Sequence, residues 1–346
     1  MSISDAPLIL VINPGSTSCR YALFAGNRPL AEEEFAAEAT VEGVAAVGRR
    51  FLAARGPQVA DLAAIVARGG LLRPVAGGVY TVTEALVQDC LAHRYGRHAS
   101  NLGAPAARRL AEEAHVPAFI ADPPTVDELL EEARLTGLPE IRRRSIFHAL
   151  NQRAVAADLA DRLGKTYAQA RVIVVHLGGG VSIGAHCNGR VVDVNDALEG
   201  DGPFASNRAG GLPALPLVRW AQGKSFDEVV HAVCKAGGFW AHLGTADGRE
   251  IERRVNQGDP QATAVFEAFT YQVAKAVAAL AVPLDGQVEA IALTGGLAHW
   301  SRLVERLKQR LGWLAEVYIY AGGREMEALA AAALSVLRRE QEAKQY

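Results

Sequence analysis

A stretch that the chain carries twice decides the fold: LILVINPGSTSCRYALFAGNRPL at residues 8–30 and VIVVHLGGGVSIGAHCNGRVVDV at residues 172–194. Each copy runs from an apolar strand into a loop of small residues, and then into a second apolar strand and a turn. The familiar phosphate loops, GxxxxGK[ST] and GxGxxG, lead into a helix and do not occur in this sequence. Because both loops here lead into a strand, we predict that each is the tip of a β-hairpin.

Glycine-rich tips of this kind expose backbone N–H groups that can hold phosphate oxygens. A single loop is explained equally well as a tight turn in which glycine supplies a positive φ. Two copies, with hydroxyl groups in the first and a histidine in the second, favour phosphate binding. One hairpin in each of two domains would form the two halves of a nucleotide clamp.

Composition and charge restrict the class of protein. The chain has 346 residues, of which half are hydrophobic, and a net charge of −2 without a basic block, so we expect no nucleic-acid partner. The four scattered cysteines are typical of a reducing compartment. The first residues lack the features of a signal peptide, and no apolar run approaches the roughly 20 residues that span a bilayer. We therefore expect a soluble cytoplasmic protein without a membrane partner.

Length and periodicity predict two α/β domains. A chain of this size exceeds one ordinary core. The first half alternates strand and helix patterns, and the second half begins again with a strand before it becomes mostly helical. We expect a capping box at Thr81 and Glu84 and a helix start at Asp259-Pro260. The predicted boundary divides the chain into domains 1–167 and 168–346, with the last helix able to pack back on the first domain.

Five motifs resemble the acetate and butyrate kinase family, and the third and fourth are most similar to its butyrate kinases. In chain order they are VINPGSTS, GRHASNLGAP, SIFHALNQRAVA, VVHLGGGVSIGAHCNGRVVDVNDALEGDGPFASNRAGGLP and ALTGG. The resemblance implies a duplicated two-domain fold of the actin, Hsp70 and sugar-kinase type, which is ribonuclease H-like, with ATP in the cleft between the domains. It also implies homodimers or larger homo-oligomers, and reversible transfer of the ATP γ-phosphate to a short-chain carboxylic acid.

The chemistry of that reaction selects residue types. A carboxylate is already ionised at neutral pH, so its attack on phosphorus needs no general base. The site must instead neutralise the charge on the transferring group, which requires arginine, histidine donors and Mg²⁺. Arg208 in SNRAGG matches the family arginine that stabilises the transferring phosphoryl group. Arg68 in ARGG is the candidate that binds the substrate carboxylate through two hydrogen bonds, or it simply caps the end of a strand.

Three histidines match family positions, and the alternative for each is a buried structural histidine. His148 and His176 are expected to be catalytic donors to phosphoryl oxygens, and His98 is expected to bind substrate. His148 opens a helix, where the macrodipole favours an anion nearby. The other histidines, His186 among them, are interpreted as structural.

Asp122 closes the strand AFIAD and matches the catalytic aspartate of the family. We assign it to Mg²⁺ through water, with orientation of the substrate as the alternative. An aspartate before two prolines is also a common turn former. Acetate kinases carry a glutamate after the second glycine turn, but Ala298 and His299 stand there in this chain. Glu325 is therefore a second candidate for the metal.

The remaining candidates bind nucleotide or the alkyl chain. The predicted phosphate-binding and adenosine-binding residues are Asn13, Ser16, Ser18, Gly178, Gly179, Gly180, Gly295 and Gly296. Phe147 and Ala197 are predicted to line the alkyl pocket, and acetate kinases tend to have proline where Ala197 stands. The smaller residue favours butyrate, isobutyrate or valerate. The alternatives are the same reaction on acetate or propionate, and a nucleotide-binding regulator that does not turn over.

Overall fold

Two β-sheets, one in each of two units of the chain, organise the fold. The structure is a computed structural model that describes residues 6–15 and 18–346. The first sheet contains β1 (Leu8–Pro14), β2 (Ser18–Ala25), β3 (Arg28–Ala36), β4 (Ala64–Arg68), β5 (Val79–Thr81) and β6 (Ala118–Ala121). The second contains β7 (Arg171–Leu177), β8 (Val181–Cys187), β9 (Arg190–Val194), β10 (Ala290–Gly295) and β11 (Glu316–Ala321).

The second sheet repeats the topology of the first. The spatial orders are β3-β2-β1-β4-β6-β5 and β9-β8-β7-β10-β11. In each sheet the first three strands form an antiparallel meander, and the next two run parallel to the central strand. Among the strands of the described residues, the antiparallel edge strand β5 alone has no counterpart in the second sheet. The duplicated α/β fold predicted from the two hairpins is thereby confirmed.

Helices cover the sheets, because the central strands are apolar on both faces. They are α1 (Val41–Ala53), α2 (Glu84–Leu91), α3 (Gly103–Ala114), α4 (Glu131–Arg134), α5 (Ala149–Arg162), α6 (Ala214–Ala221), α7 (Phe226–Cys234), α8 (Gly238–Leu243), α9 (Gly248–Asn256), α10 (Pro260–Ala279), α11 (Ser301–Leu311) and α12 (Glu325–Leu337). Residues 9–12 of β1 and 172–175 of β7 are fully buried. Each such aliphatic side chain contributes about 1.5–3 kcal/mol on burial.

The division of the chain into units differs from the boundary that the sequence predicts. The first unit is Met1–Val126 together with Arg324–Tyr346, and the second is Asp127–Gly323. The segment before residue 167 belongs to the second unit because α5 buries Val155 and Leu159 against Val172 and Val174 of β7. The last helix, α12, packs on β1 and β4 of the first sheet.

One helical segment, Pro260–Leu284, is long and apolar enough to cross a membrane by length and composition. It consists of α10 and the turn after it. Its buried residues, including Phe266, Phe269 and Val273, belong to the hydrophobic core of the second unit. We therefore describe α10 as a core helix.

Candidate functional site

Two side chains that can donate hydrogen bonds, those of His176 and Arg208, lie against the glycine loop of the second sheet. Leu177 pairs with Val181, so residues 178–180 form the tip of the β7–β8 hairpin, as the sequence predicts. A Cβ atom on Gly178 would lie 3.2 Å from His176 Nε2, and one on Gly180 would lie 1.9 Å from Arg208 Nη1. Both side chains therefore reach the same three-residue loop.

Arg208 has the properties of an anion-binding group. Its Nη1 donates to the carbonyl of Ala197, whereas its buried Nε has no hydrogen-bond partner among the residues that the structure describes. Burial lowers the pKa of Arg208, and the nearby Cys234 and Asp196 oppose that effect. A partly dehydrated guanidinium with an unsatisfied N–H gains most from a phosphoryl oxygen, because a charge-assisted hydrogen bond would replace the lost hydration.

Because Arg208 packs on Gly180 but not on Gly179, alanine substitutions at these two positions should differ in their effect on activity. Gly180→Ala should displace the guanidinium and lower the turnover number by about tenfold, equivalent to about 1.4 kcal/mol. Stability should change little, because the closest obstacle is the end of a flexible side chain. Steady-state kinetics and a thermal melt of the variant check both statements.

Gly179→Ala is the matched control, because a Cβ atom there would meet nothing within 4 Å. Equal activity losses in the two variants would show that the loop is sensitive to any side chain, and would contradict the role given to Arg208 packing.

His148 and His176 form a stacked pair next to the loop. Their ring centroids are 3.7 Å apart and their planes differ by 7°. His176 Nδ1 lies 2.9 Å from Asn151 Nδ2, and His148 Nδ1 lies 2.9 Å from Ser182 Oγ. Both Nδ1 atoms are thus engaged by neighbouring side chains, and Gly178 lies next to the Nε2 atom of His176.

The two predicted alkyl-pocket residues adjoin this cluster. Phe147 and Ala197 are both buried. The backbone N–H of Ala197 donates to the carbonyl of Ile146 at 2.9 Å, which places Ala197 beside the residue that precedes Phe147. The carbonyl of Ala197 receives the Arg208 hydrogen bond. A side chain at position 197 is therefore close to the guanidinium.

Gly295 has a structural reason to be glycine. Its φ is +90°, and a Cβ atom would lie 2.3 Å from the carbonyl oxygen of Leu177 on the neighbouring strand. Gly296, in contrast, borders open space. Both residues lie at the carboxyl end of β10, and their contact with adenosine remains a prediction.

In the first unit, three candidates lie at the carboxyl edge of the sheet. Asn13 is the second-last residue of β1, Arg68 is the last of β4, and Asp122 directly follows β6. These strands are parallel neighbours, with Ile12 level with Ala67. The carboxyl edge of parallel strands is the usual position of ligand sites in α/β proteins. Ser18 opens β2 beside them, whereas Ser16 lies outside the described residues.

Arg68 is a second desolvated guanidinium. Burial lowers its pKa, the carboxylate of Glu325 opposes this effect, and Arg20 adds to it. Glu325 itself contacts Arg20, with 3.4 Å between its Oε2 and Arg20 Nη2. Among residues 6–15 and 18–346, Arg68 has no ion pair with a carboxylate within 4 Å, so an anionic substrate would supply the missing counter-charge.

Asp122 is hydrogen-bonded to Gly78, the residue before β5. Its φ is +39°, its Oδ1 accepts from the N–H of Gly78 at 2.7 Å, and its own N–H donates to the Gly78 carbonyl at 3.0 Å. Within the described part of the chain, no group of three or more His, Cys, Asp or Glu residues could hold a metal. Mg²⁺ commonly takes one or two carboxylates, with water and phosphate oxygens as its other ligands. Asp122 fits that pattern through water, whereas Glu325, beside Arg20, fits a cation poorly.

His98 has a local structural role. It caps the short 3₁₀ helix Ala99–Leu102, and its Nδ1 accepts from the N–H of Ser100 at 3.2 Å. Its side chain also contacts Ser100 Oγ at 2.8 Å. Its contact with substrate remains a prediction.

The buried polar residues that surround the histidine pair are not predicted by the sequence motifs. They are Asn151, Gln152, Ser182 and Thr294. The available signal was an Asn-Gln pair on the buried face of an otherwise apolar helix.

His186 also belongs to this group of buried polar residues, since its Nε2 contacts Gln152. It is fully buried, and burial lowers its pKa to about 3, so the structural interpretation is confirmed.

Comparisons with known proteins agree with this architecture. A family model of the acetokinase family matches residues 136–317. The chain is similar in fold to an acetate kinase from Porphyromonas gingivalis, with a TM-score of 0.79 and 19% identity over 96% of this chain and 100% of that chain. It is also similar to a propionate kinase from Francisella tularensis subsp. tularensis SCHU S4, with a TM-score of 0.79 and 18% identity over 94% of this chain and 98% of that chain. The similarity to a ROK family protein from Streptococcus pneumoniae TIGR4, solved in complex with sucrose, is lower, with a TM-score of 0.54 and 11% identity over 96% of this chain and 100% of that chain.

Proposed function

Because this chain belongs to the acetokinase family and is accordingly a carboxylate kinase, we propose that its acceptor is butyrate or a close relative such as isobutyrate or valerate. The reaction is reversible transfer of the γ-phosphoryl group of ATP to the carboxylate, which yields an acyl phosphate and ADP. We expect the protein to act in the cytoplasm as a homodimer or larger homo-oligomer.

The observation that carries the proposal is the convergence of Arg208 and His176 on the glycine loop. Phosphoryl transfer to a carboxylate has little proton chemistry, so the protein contributes mainly position and charge stabilisation. Arg208 would neutralise the equatorial oxygens of the transferring group. His176 and His148 would donate hydrogen bonds to these oxygens, and Gly179 leaves open space at the loop tip.

Residues of the first unit would bind the acceptor and orient the nucleotide. Arg68, which lacks a carboxylate partner among the described residues, would hold the substrate carboxylate. Asn13 would bind a phosphate oxygen, and Asp122 would hold Mg²⁺ through water. When bound, Mg²⁺ supplies charge neutralisation on the phosphate groups.

Preference for a longer acid rests on position 197. The backbone of Ala197 is hydrogen-bonded to the Arg208 guanidinium and to the segment that contains Phe147, and a side chain as small as alanine would leave room for additional methylene groups. Each buried methylene contributes about 0.8 kcal/mol, or roughly a fourfold preference. Such a pocket gives a graded preference and weak exclusion of neighbouring acids.

The test is Mg-ATP-dependent formation of acyl phosphate, trapped with hydroxylamine, over straight and branched acids from acetate to hexanoate. The expected maximum of kcat/KM lies at butyrate or isobutyrate. Arg208→Ala is the control for background hydroxamate formation, since it lacks the neutralising group, and a thermal melt checks that the variant is folded.

Other outcomes select the other candidates. A maximum at acetate or propionate would keep the reaction and refute the role of Ala197. Binding of ATP without any acyl phosphate would favour a nucleotide-binding regulator. A parallel panel of sugars checks for phosphorylation of a hydroxyl group.

A further inference from the structure

Two chains of buried side-chain hydrogen bonds, which we call relays, end at the Nδ1 atoms of the stacked histidines His176 and His148. His176, Asn151, Gln152, Ser182 and Thr294 are each at most 7% exposed. An unsatisfied polar group in such surroundings costs about 1–3 kcal/mol. The direction of each hydrogen bond therefore follows from which atoms can donate and which can only accept.

The first relay fixes the proton of His176. The Thr294 hydroxyl lies 3.0 Å from the carbonyl of Gly322, an acceptor, so the hydroxyl donates there. Thr294 Oγ1 then accepts from Asn151 Nδ2 at 3.1 Å. The same amide nitrogen donates to His176 Nδ1 at 2.9 Å. His176 must carry its proton on Nε2, which lies next to Gly178.

The second relay fixes the proton of His148 in the same way. Gln152 Nε2 lies 3.0 Å from the carbonyl of Ser182 and 2.8 Å from its Oγ, so the amide group donates to both. The backbone N–H of His148 also donates to Ser182 Oγ, at 3.5 Å, so both lone pairs of the oxygen are engaged. The Ser182 hydroxyl therefore donates its own proton to His148 Nδ1 at 2.9 Å. His148 is left with its proton on Nε2.

His186 secures the orientation of Gln152. Its Nε2 lies 3.1 Å from Gln152 Oε1, and the hydroxyl of Tyr167 lies 2.9 Å from its Nδ1. Burial, followed by the charge of Arg153, lowers the pKa of His186 to about 3, so the ring is neutral near pH 7. Its Nε2–H donates to the amide oxygen, and the tyrosine hydroxyl donates to its Nδ1.

We propose that Asn151 with Thr294, and Gln152 with Ser182, are positioning residues that hold His176 and His148 as Nε2–H tautomers. The consequence rests on the proposed function. Each ring then presents an N–H at Nε2 that can donate to a phosphoryl oxygen, whereas the opposite tautomer would present a lone pair there and repel that oxygen. Neither relay requires a proton to move during the reaction.

The decisive measurement is the tautomer of each ring, read from long-range ¹H–¹⁵N correlation spectra of protein labelled with ¹⁵N-histidine. Signals of His148 and His176 are assigned by their loss in single His→Gln variants. Both rings are expected as Nε2–H near neutral pH. Thr294→Val should release only His176 into a tautomer mixture, Ser182→Ala should release only His148, and Thr294→Ser should restore the native pattern.

Several outcomes overturn the proposal. Protonation of either ring on Nδ1 in the native protein would do so. So would an unchanged His176 tautomer in Thr294→Val, because the relay would then not set it. Thr294→Ser keeps the hydroxyl, so a native tautomer pattern in this variant shows that the effect of valine comes from loss of the hydroxyl and not from misfolding.

Kinetics test the functional consequence separately. Thr294→Val and Ser182→Ala should each lower kcat by about tenfold with little change in KM for ATP, and Thr294→Ser should recover kcat. Unchanged kcat in both variants would refute the positioning role. If the native protein forms no acyl phosphate, the proposed function fails while the NMR result still decides the tautomers.

Discussion

Replacing Arg208 with alanine is expected to lower kcat for acyl phosphate formation by about a thousandfold, the largest effect of any single substitution in this protein. The guanidinium lies against the glycine loop and has a buried N–H without a partner in the described chain. The charge that develops on the transferring phosphoryl group would then lose its main counter-charge. Affinity for ATP should change little, since that interaction strengthens only in the transition state.

The measurement is a comparison of kcat with the dissociation constant for ATP. Arg249→Ala is the matched control, because Arg249 is an exposed arginine of the same unit on α9. A loss of less than about tenfold, one order of magnitude in rate, would refute the role assigned to Arg208. Equal weakening of ATP binding would instead make Arg208 a ground-state nucleotide ligand.

Replacing Arg68 with alanine is expected to raise KM for the carboxylate by about 100-fold while kcat at saturation falls less. A two-point charge-assisted interaction of about 2.7 kcal/mol would be lost from substrate binding. Arg68→Lys should recover only part of the affinity, because lysine keeps the charge but not the planar pair of donors. Initial rates over a wide range of acid concentrations give both constants.

Arg28→Ala serves as the control for Arg68, since Arg28 is an exposed arginine on the edge strand β3 of the same unit. An unchanged KM in Arg68→Ala would move carboxylate binding to another residue. Removal of Arg68 also removes the energetic cost of burying its charge, so the variant should not be less stable than the native protein. A thermal melt measures this effect on stability separately from substrate binding.

Local patterns predicted the hairpins and several helix ends. The duplicated strand–loop–strand pattern gave both β-meanders, and Asp259 caps α10 with Pro260 as its first residue. The predicted capping box at Thr81 was wrong. Thr81 ends β5, and the Thr83 hydroxyl accepts from the N–H of Leu86 as the N-cap of α2. Two threonines at neighbouring positions offer equivalent local signals, and the extent of the preceding strand decides between them.

Long-range contacts limited the prediction of the site. The predicted boundary at residue 167 separates His148 from His176 and Arg208, whereas the structure places all three in the second unit and brings the last two to one loop. The relays were beyond reach, because Asn151 and Thr294 are 143 residues apart and hydrogen-bond only after α5 packs on the second sheet. The same packing explains the boundary: α5 follows the first strands in sequence but buries its apolar face in the second unit.

The return of α12 to the first sheet has a consequence for synthesis on the ribosome. Leu329, Ala330 and Ala333 of this helix are buried, and the helix covers β1 and β4. The second unit is continuous in sequence, so it emerges whole before α12 is made. Although domains generally fold in order from the N-terminus, the first-made half here must wait, with part of its sheet uncovered, until the last helix is translated. We therefore expect nascent chains arrested before α12 to expose the apolar surface of β1 and β4 that this helix covers.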